Sequence, residues 1–239
     1  NVLTVAVETT AGTSESAYFA LNTAASTSVE TVSWYQRVIG LEDEYSTEKF
    51  SIDGATFYVN NGTGYLTSVI DIASVNTLSD MPLEASLVYN DYYAEVLSDI
   101  QTESNISVPS AAGFNFKLNF QQFMLRRGNV YEMIDADGSI STFYACAAAG
   151  LYYSREKKLY YNSATCIAYD PTGNQLHFNS SGCLTKIVSE NNPAEYISVE
   201  YTSAPSRNAT TQTLSLGQIS RVVYRADGVE KYAISFTYT

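Results

Sequence analysis

Few side chains in this chain are of types that do chemistry, and their spacing narrows what they can do. His177 is the only histidine among 239 residues. A Ser-His-Asp triad would have to be built on it, yet no Gly-x-Ser-x-Gly elbow supplies a nucleophile. Cys146, Cys166 and Cys183 lack the CxxC spacing of a zinc knuckle. One disulfide with a thiol left over, or three separate buried thiols, both fit that count. No local signature joins Cys166 or Cys183 to His177 as a cysteine nucleophile and its base. HExxH, the P-loop and GxGxxG are absent, so no cofactor and no metal are expected. Asp135 and Asp137 place two carboxylates in the run DADGS, but a calcium loop takes a third alternate ligand and a distal Glu. That run reads as a turn. The cluster Glu42, Asp43 and Glu44 likewise reads as a solvated acidic turn. Glycoside hydrolysis needs only two acids about 5–5.5 or 6.5–9.5 Å apart in space, and no pair here stands out from the turn-forming acids.

The remaining candidates are aromatic. Exposed Tyr and Trp stack on sugar rings and anchor protein interfaces. Tyr92-Tyr93, Tyr152-Tyr153 and Tyr160-Tyr161 are adjacent pairs, and neighbours along a strand point to opposite faces. Each strand pair therefore offers one ring to the core and one outside. Trp34, Tyr152, Tyr153, Tyr160 and Tyr161 are the candidate binding aromatics.

Strands must position these residues. Phe114, Phe116, Leu118 and Phe120 alternate with Asn115, Lys117 and Asn119, a period of two that predicts a half-buried strand with Lys117 on its polar face. Val130 to Ile134, the turn Asp135 to Gly138, and Ser139 to Phe143 form a hairpin. The same pattern returns at Ala168 to Phe178 around Asp170 and Gly173, and at Val223 onward around Asp227 and Gly228. Thr56 to Val59 and Tyr65 to Ile72 flank the turn Asn60-Asn61-Gly62, and Glu84 to Tyr89 is a further strand. Residues 91–112 read as a long, polar, mobile loop with a helical turn near Tyr93 to Leu97. Ser203 to Gly217 is a polar insertion. Recurring hairpins indicate a stacked, quasi-repetitive sheet whose units share one core.

Composition bounds the function. Lys and Arg total 13 against 25 Asp and Glu, a net charge of -12, and that field repels nucleic acid and anionic membrane surfaces. No apolar run approaches the ~18 residues of a membrane-spanning helix. Twenty tyrosines with abundant Ser and Thr suit a secreted or surface β protein. A chain starting at Asn1 without Met or signal-like segment is expected to be mature or excised.

The succession YVNNGTGYLTSVIDI, MPLEASLVYND, GFNFKLNFQQ and YEMIDADGSISTF resembles the opening of bacterial RHS (YD-repeat) proteins. Thr63-Gly64, Met81-Pro82-Leu83 and Val88-Tyr89-Asn90 follow that family's order. Trp34-Tyr35 with Gly40 to Asp43 is similar to the lead-in of its large Gram-positive surface members. Phe114-Asn115-Phe116 replaces the family's Gly-Trp element, and the regular Arg-Tyr-Tyr-Asp consensus is absent. The resemblance implies the N-terminal portion of a large secreted or cell-surface protein whose repeats wind into a β shell. Its partners would be other RHS-repeat segments of the same or a neighbouring chain, through an open strand edge, or a surface glycan or protein.

The expected architecture is all-β, with successive antiparallel hairpins in a curved, YD-repeat-like sheet. Residues 1–33 would end an upstream module or linker, 34–112 form a lead-in β region with the loop at 91–112, and 113–239 form the hairpin sheet. The expected role is scaffold and interaction without catalysis. A carbohydrate- or protein-binding module and a carboxylate-dependent glycosidase are the alternatives.

Overall fold

Alternating apolar residues and Asp/Asn-Gly corners make antiparallel hairpins, and these account for most of the chain. The computed structural model describes residues 47–52, 54–77, 81–109, 111, 115–170 and 173–238. Residues 1–33, Trp34 and the acidic run at 42–44 lie outside them. The first sheet has the order β1 (Thr47–Ile52), β2 (Ala55–Asn60), β3 (Leu66–Val75), β4 (Leu83–Asn90) and β6 (Lys117–Leu118). A second sheet of eleven strands runs β7 (Phe123–Arg127), β8 (Val130–Ile134), β9 (Ile140–Ala145), β10 (Leu151–Ser154), β11 (Leu159–Asn162), β12 (Ile167–Tyr169), β13 (Gln175–Phe178), β14 (Leu184–Val188), β15 (Glu195–Tyr201), β18 (Ile219–Ala226) and β19 (Val229–Ser235). Every neighbouring pair in it is antiparallel. The all-β expectation is met.

The three look-alike turns each close a hairpin. In the first, Gly138 N–H donates to Asp135 O; in the second, Gly173 N–H donates to Asp170 O. Asp227 and Gly228 sit at φ 53° and 74° between β18 and β19, the positive pair that a two-residue primed turn demands. Phe143 and Phe178, which align in the sequence repeat, enter the same core. That core also takes Leu83 and Ala85 of β4. The boundary at 112/113 therefore separates stretches of sequence, not hydrophobic cores.

Two local expectations are corrected. The expected loop at 91–112 begins with a helix: Asp91–Ser104 form α1. Tyr93, Val96, Leu97 and Ile100 follow the i, i+3, i+4, i+7 spacing of an apolar helical face, and all pack in a second core with Phe123, Ile134 and Ile140. Asn90 Oδ1 accepts from Tyr93 N–H at 3.0 Å as the N-cap, and Asn105 ends the helix at φ 50°. The other correction is Lys117. Among the described residues of the alternating run only Lys117–Leu118 pair as a strand, and Lys117 is 1% exposed instead of facing solvent.

The insertion at 203–217 folds back onto the end of α1. β16 (Ser206–Arg207), β17 (Leu214–Ser215) and β5 (Ile106–Ser107) make a third, small sheet, with β17 parallel to β5. The long sheet curls until β7 meets the turn before β14. There Met124 N–H donates to Gly182 O at 2.7 Å, and Leu184 N–H donates to Gln122 O at 3.1 Å. Gly182 is required at that seam, because a Cβ would lie 2.0 Å from Met124 O and its φ is +84°. Among the described strands, β1 pairs only with β2 and β19 only with β18. Both edges carry an exposed Glu-Lys dipeptide, Glu48-Lys49 and Glu230-Lys231, and such charges discourage indiscriminate strand addition.

Candidate functional site

Pairing in the long sheet gathers four tyrosines into one row. Tyr144 lies opposite Tyr153, Tyr153 opposite Tyr160, and Tyr160 opposite Tyr169. Directly opposed residues share a face of the sheet. Tyr144 is 47% and Tyr160 46% exposed, and Tyr153 and Tyr169 are half-buried. The Tyr153 and Tyr160 ring centroids are 4.6 Å apart. Gln175 continues the row opposite Tyr169. Two residues further along β13, His177 Nε2 lies 3.2 Å from Gln175 Oε1. Burial, then the Lys186 charge, lowers the pKa of His177, so the imidazole is neutral at pH 7. Burial, followed by Glu156 and Glu132, raises that of the Tyr144 phenol, with Arg155 opposing. The row itself is built of four phenols and an amide.

The alternate tyrosines do the opposite work. Tyr152 lies opposite Tyr161, and Tyr131 packs on both, with centroids 4.7 and 4.9 Å away. Tyr161 is buried in the main core and Tyr152 packs against it. Of the aromatics singled out in the sequence, Tyr153 and Tyr160 thus face outward together, and Tyr152 and Tyr161 face inward. Tyr144 and Tyr169 were missed. The signal was available: each pair in the row is placed symmetrically about one of three successive hairpin turns. On β9, Ile140 and Thr142 share the face of Tyr144 and are buried, Ile140 in the cluster with Tyr93 and Ile100 of α1. The helix side of this face is covered, and the tyrosine end is open.

A second polar feature lies at the turn 135–138. Lys117 Nζ donates to Asp135 O at 2.7 Å and to Ala136 O at 2.9 Å. Its removal from water lowers its pKa to about 8, with Asp137 and Asp135 working the other way. Lys157 Nζ bridges the two carboxylates, 3.5 Å from Asp135 Oδ2 and 3.6 Å from Asp137 Oδ2. Burial, then the Asp137 carboxylate, raises the pKa of Asp135. Asn90 Nδ2 donates to Asp137 O at 3.1 Å, and a Cβ on Gly138 would lie 2.8 Å from Asn90 Cβ. Solvent-borne substrate does not reach a 1% exposed amine; this constellation is a strut under α1. Among the described residues no three His, Cys, Asp or Glu side chains are grouped to hold a metal ion.

The other sequence candidates are separated. His177 partners Gln175 and no hydroxyl or thiol nucleophile. Cys146, Cys166 and Cys183 are all free. Burial pushes the Cys183 thiol up to about 12 against a weaker hydrogen bond from Gly217, which leaves it inert. A cavity of about 410 Å³ at the seam is lined by Ser104, Met124, Tyr131, Tyr161, Ser163 and Asn179, among others, and a smaller one of about 150 Å³ lies between α1 and Phe116. Neither lining includes a carboxylate, so paired acids for glycoside hydrolysis have no site in these two. No helix among the described residues is long and apolar enough to cross a membrane. The chain matches no model of a known protein family and no curated protein.

Proposed function

We propose that this chain is a scaffold and interaction segment of an RHS-type secreted or cell-surface protein, without catalysis of its own. The observation that supports this most is the unbroken run of hairpins from β7 to β15, in chain order, curling into one sheet. Stacked hairpins of this kind build a wall, and each depends on its neighbour for a core. The edge of β19 is where a further segment of the same type would add. Sedimentation velocity over the accessible concentration range tests this. Reversible association is expected, weakened by Tyr232→Lys on the β19 edge; a monomer throughout would count against edge addition.

A second reading is favoured by the outward row of Tyr144, Tyr153, Tyr160 and Tyr169. It makes the chain a binding module for a glycan or a protein, with the curled sheet as its rigid support. Alanine variants of Tyr144 and Tyr160 separate the two, because a pure scaffold loses nothing measurable when exposed rings are trimmed.

A further inference from the structure

Resting on the binding-module reading, we propose that the tyrosine row is a platform for an extended, neutral, β-linked oligosaccharide lying across the strands. Three features of the row select this occupant. The first is spacing. Neighbouring strands are about 4.8 Å apart, close to the length of one pyranose unit in an extended β-1,4 chain. A tyrosine on each of β9, β10, β11 and β12, in one register, therefore stays in phase with successive sugar rings over the whole row. The two most exposed rings, Tyr144 and Tyr160, are two strands apart, about 9.6 Å. That matches the disaccharide repeat, in which alternate units present the same face.

The second feature is charge. The row is made of four phenols and the Gln175 amide, and the protein carries a net charge of -12. Lys186 faces His177 at the polar end, but at Tyr144 Glu156 and Glu132 outweigh Arg155, so an anionic polysaccharide meets net repulsion there. The third is the polar end. Gln175 continues the row, and the neutral imidazole of His177 lies beside it. An amide and an imidazole both donate and accept, as sugar hydroxyls require. Rings for stacking, flanked by uncharged hydrogen-bonding groups, suit a polyhydroxylated ligand better than an apolar peptide segment.

The test is calorimetric titration of the full chain with soluble hexaoses of β-1,4-glucose and β-1,4-N-acetylglucosamine. An α-1,4-glucose hexaose and polygalacturonate serve as geometric and anionic controls. Binding of a β-linked neutral hexaose is expected, weakened about tenfold by Tyr144→Ala and by Tyr160→Ala, the loss of one stacked ring. Phe50→Ala, which removes an exposed aromatic ring outside the row, leaves it unchanged. Circular dichroism confirms that the variants fold. Equal binding of the α-linked or anionic probe, or sugar binding that both variants retain, overturns this ligand and leaves a binding module elsewhere on the surface. No sugar binding, with self-association or capture of a protein lost in the same variants, overturns the glycan and keeps the row as an interface. No binding of any kind, and no effect of either variant, overturns both this inference and the reading it rests on.

Discussion

Replacing Lys117 by methionine keeps the length of the side chain and removes its charge, which makes the buried amine measurable through pH. In the folded chain its pKa is lowered to about 8 from 10.5, with burial as the leading cause. That gap corresponds to roughly 3 kcal/mol disfavouring the ammonium form. Between these two values the unfolded chain holds a proton that the folded chain has released. Stability supplied through this site therefore rises with pH across that window, and below pH 8 the penalty is fully present. Other groups titrate there too. The Cys183 thiol, pushed up to about 12, keeps a proton that the unfolded thiol loses, and so contributes the opposite slope. It is common to both proteins and cancels in their difference.

The assay is urea unfolding of the wild type and Lys117→Met from pH 7.5 to 10.5. The wild type is expected to gain on the variant with rising pH, by roughly 3 kcal/mol over the full window. The level at any one pH decides less. Methionine relieves the cost of a buried charge but removes the Lys117 donor from Ala136 O and from Asp135 O, the latter keeping only Gly138 N–H, and hydrogen bonds from charged groups are worth about 1.5–3 kcal/mol each. A difference that stays flat over the window would refute the claim that this amine is desolvated.

Three further outcomes are expected. Gly182→Ala should cost roughly 3 kcal/mol or more, since its Cβ strikes the Met124 backbone; Gly64→Ala, with positive φ but open space around it, should cost only about 1–2 kcal/mol, and equal losses in thermal unfolding would dismiss the seam. Asn90→Ala should cost about 2 kcal/mol or more, because Asn90 caps α1 and also donates to Thr67 Oγ1 and Asp137 O; protection of the α1 amides in hydrogen exchange should fall with it. Asp135→Asn should hold its own at neutral pH. The carboxyl pKa is raised in the fold, so wild-type stability relative to this variant falls as pH rises through the folded value, and a relative rise in denaturant titrations would contradict that sign.

Legibility in the sequence followed the physics of the signal. Hairpins around Asp135, Asp170 and Asp227 were readable because tight turns demand particular residues at particular places. Helix α1 was also written plainly, in Asn90, Tyr93, Val96, Leu97, Ile100 and Asn105, but polar residues between them suggested a loop. Lys117 misled for a different reason. Alternation tells which residues share a face, and it assumes that one face meets solvent. Here the face opposite Leu118 meets the 135–138 turn. The tyrosine row needed register as well as alternation, so two of its four members escaped a search for adjacent pairs.

Methionine at 117 would avoid the desolvation cost of a buried ammonium, but it could not donate to the carbonyls of the 135–138 turn. Asp135-Ala-Asp-Gly138 and Asp170-Pro-Thr-Gly173 share their turn chemistry, with Asp135 and Asp170 carbonyls both taking the Gly amide. What distinguishes the first is that three successive carbonyls, of residues 135, 136 and 137, accept from Lys117 and Asn90. The corresponding stretch of the second turn includes Pro171 in place of Ala136, and its Asp170 carboxylate is bonded to Asn174 within its own hairpin. A desolvated charge tolerates only an arrangement that satisfies it, and in this fold the carbonyls of Asp135 and Ala136 provide that arrangement.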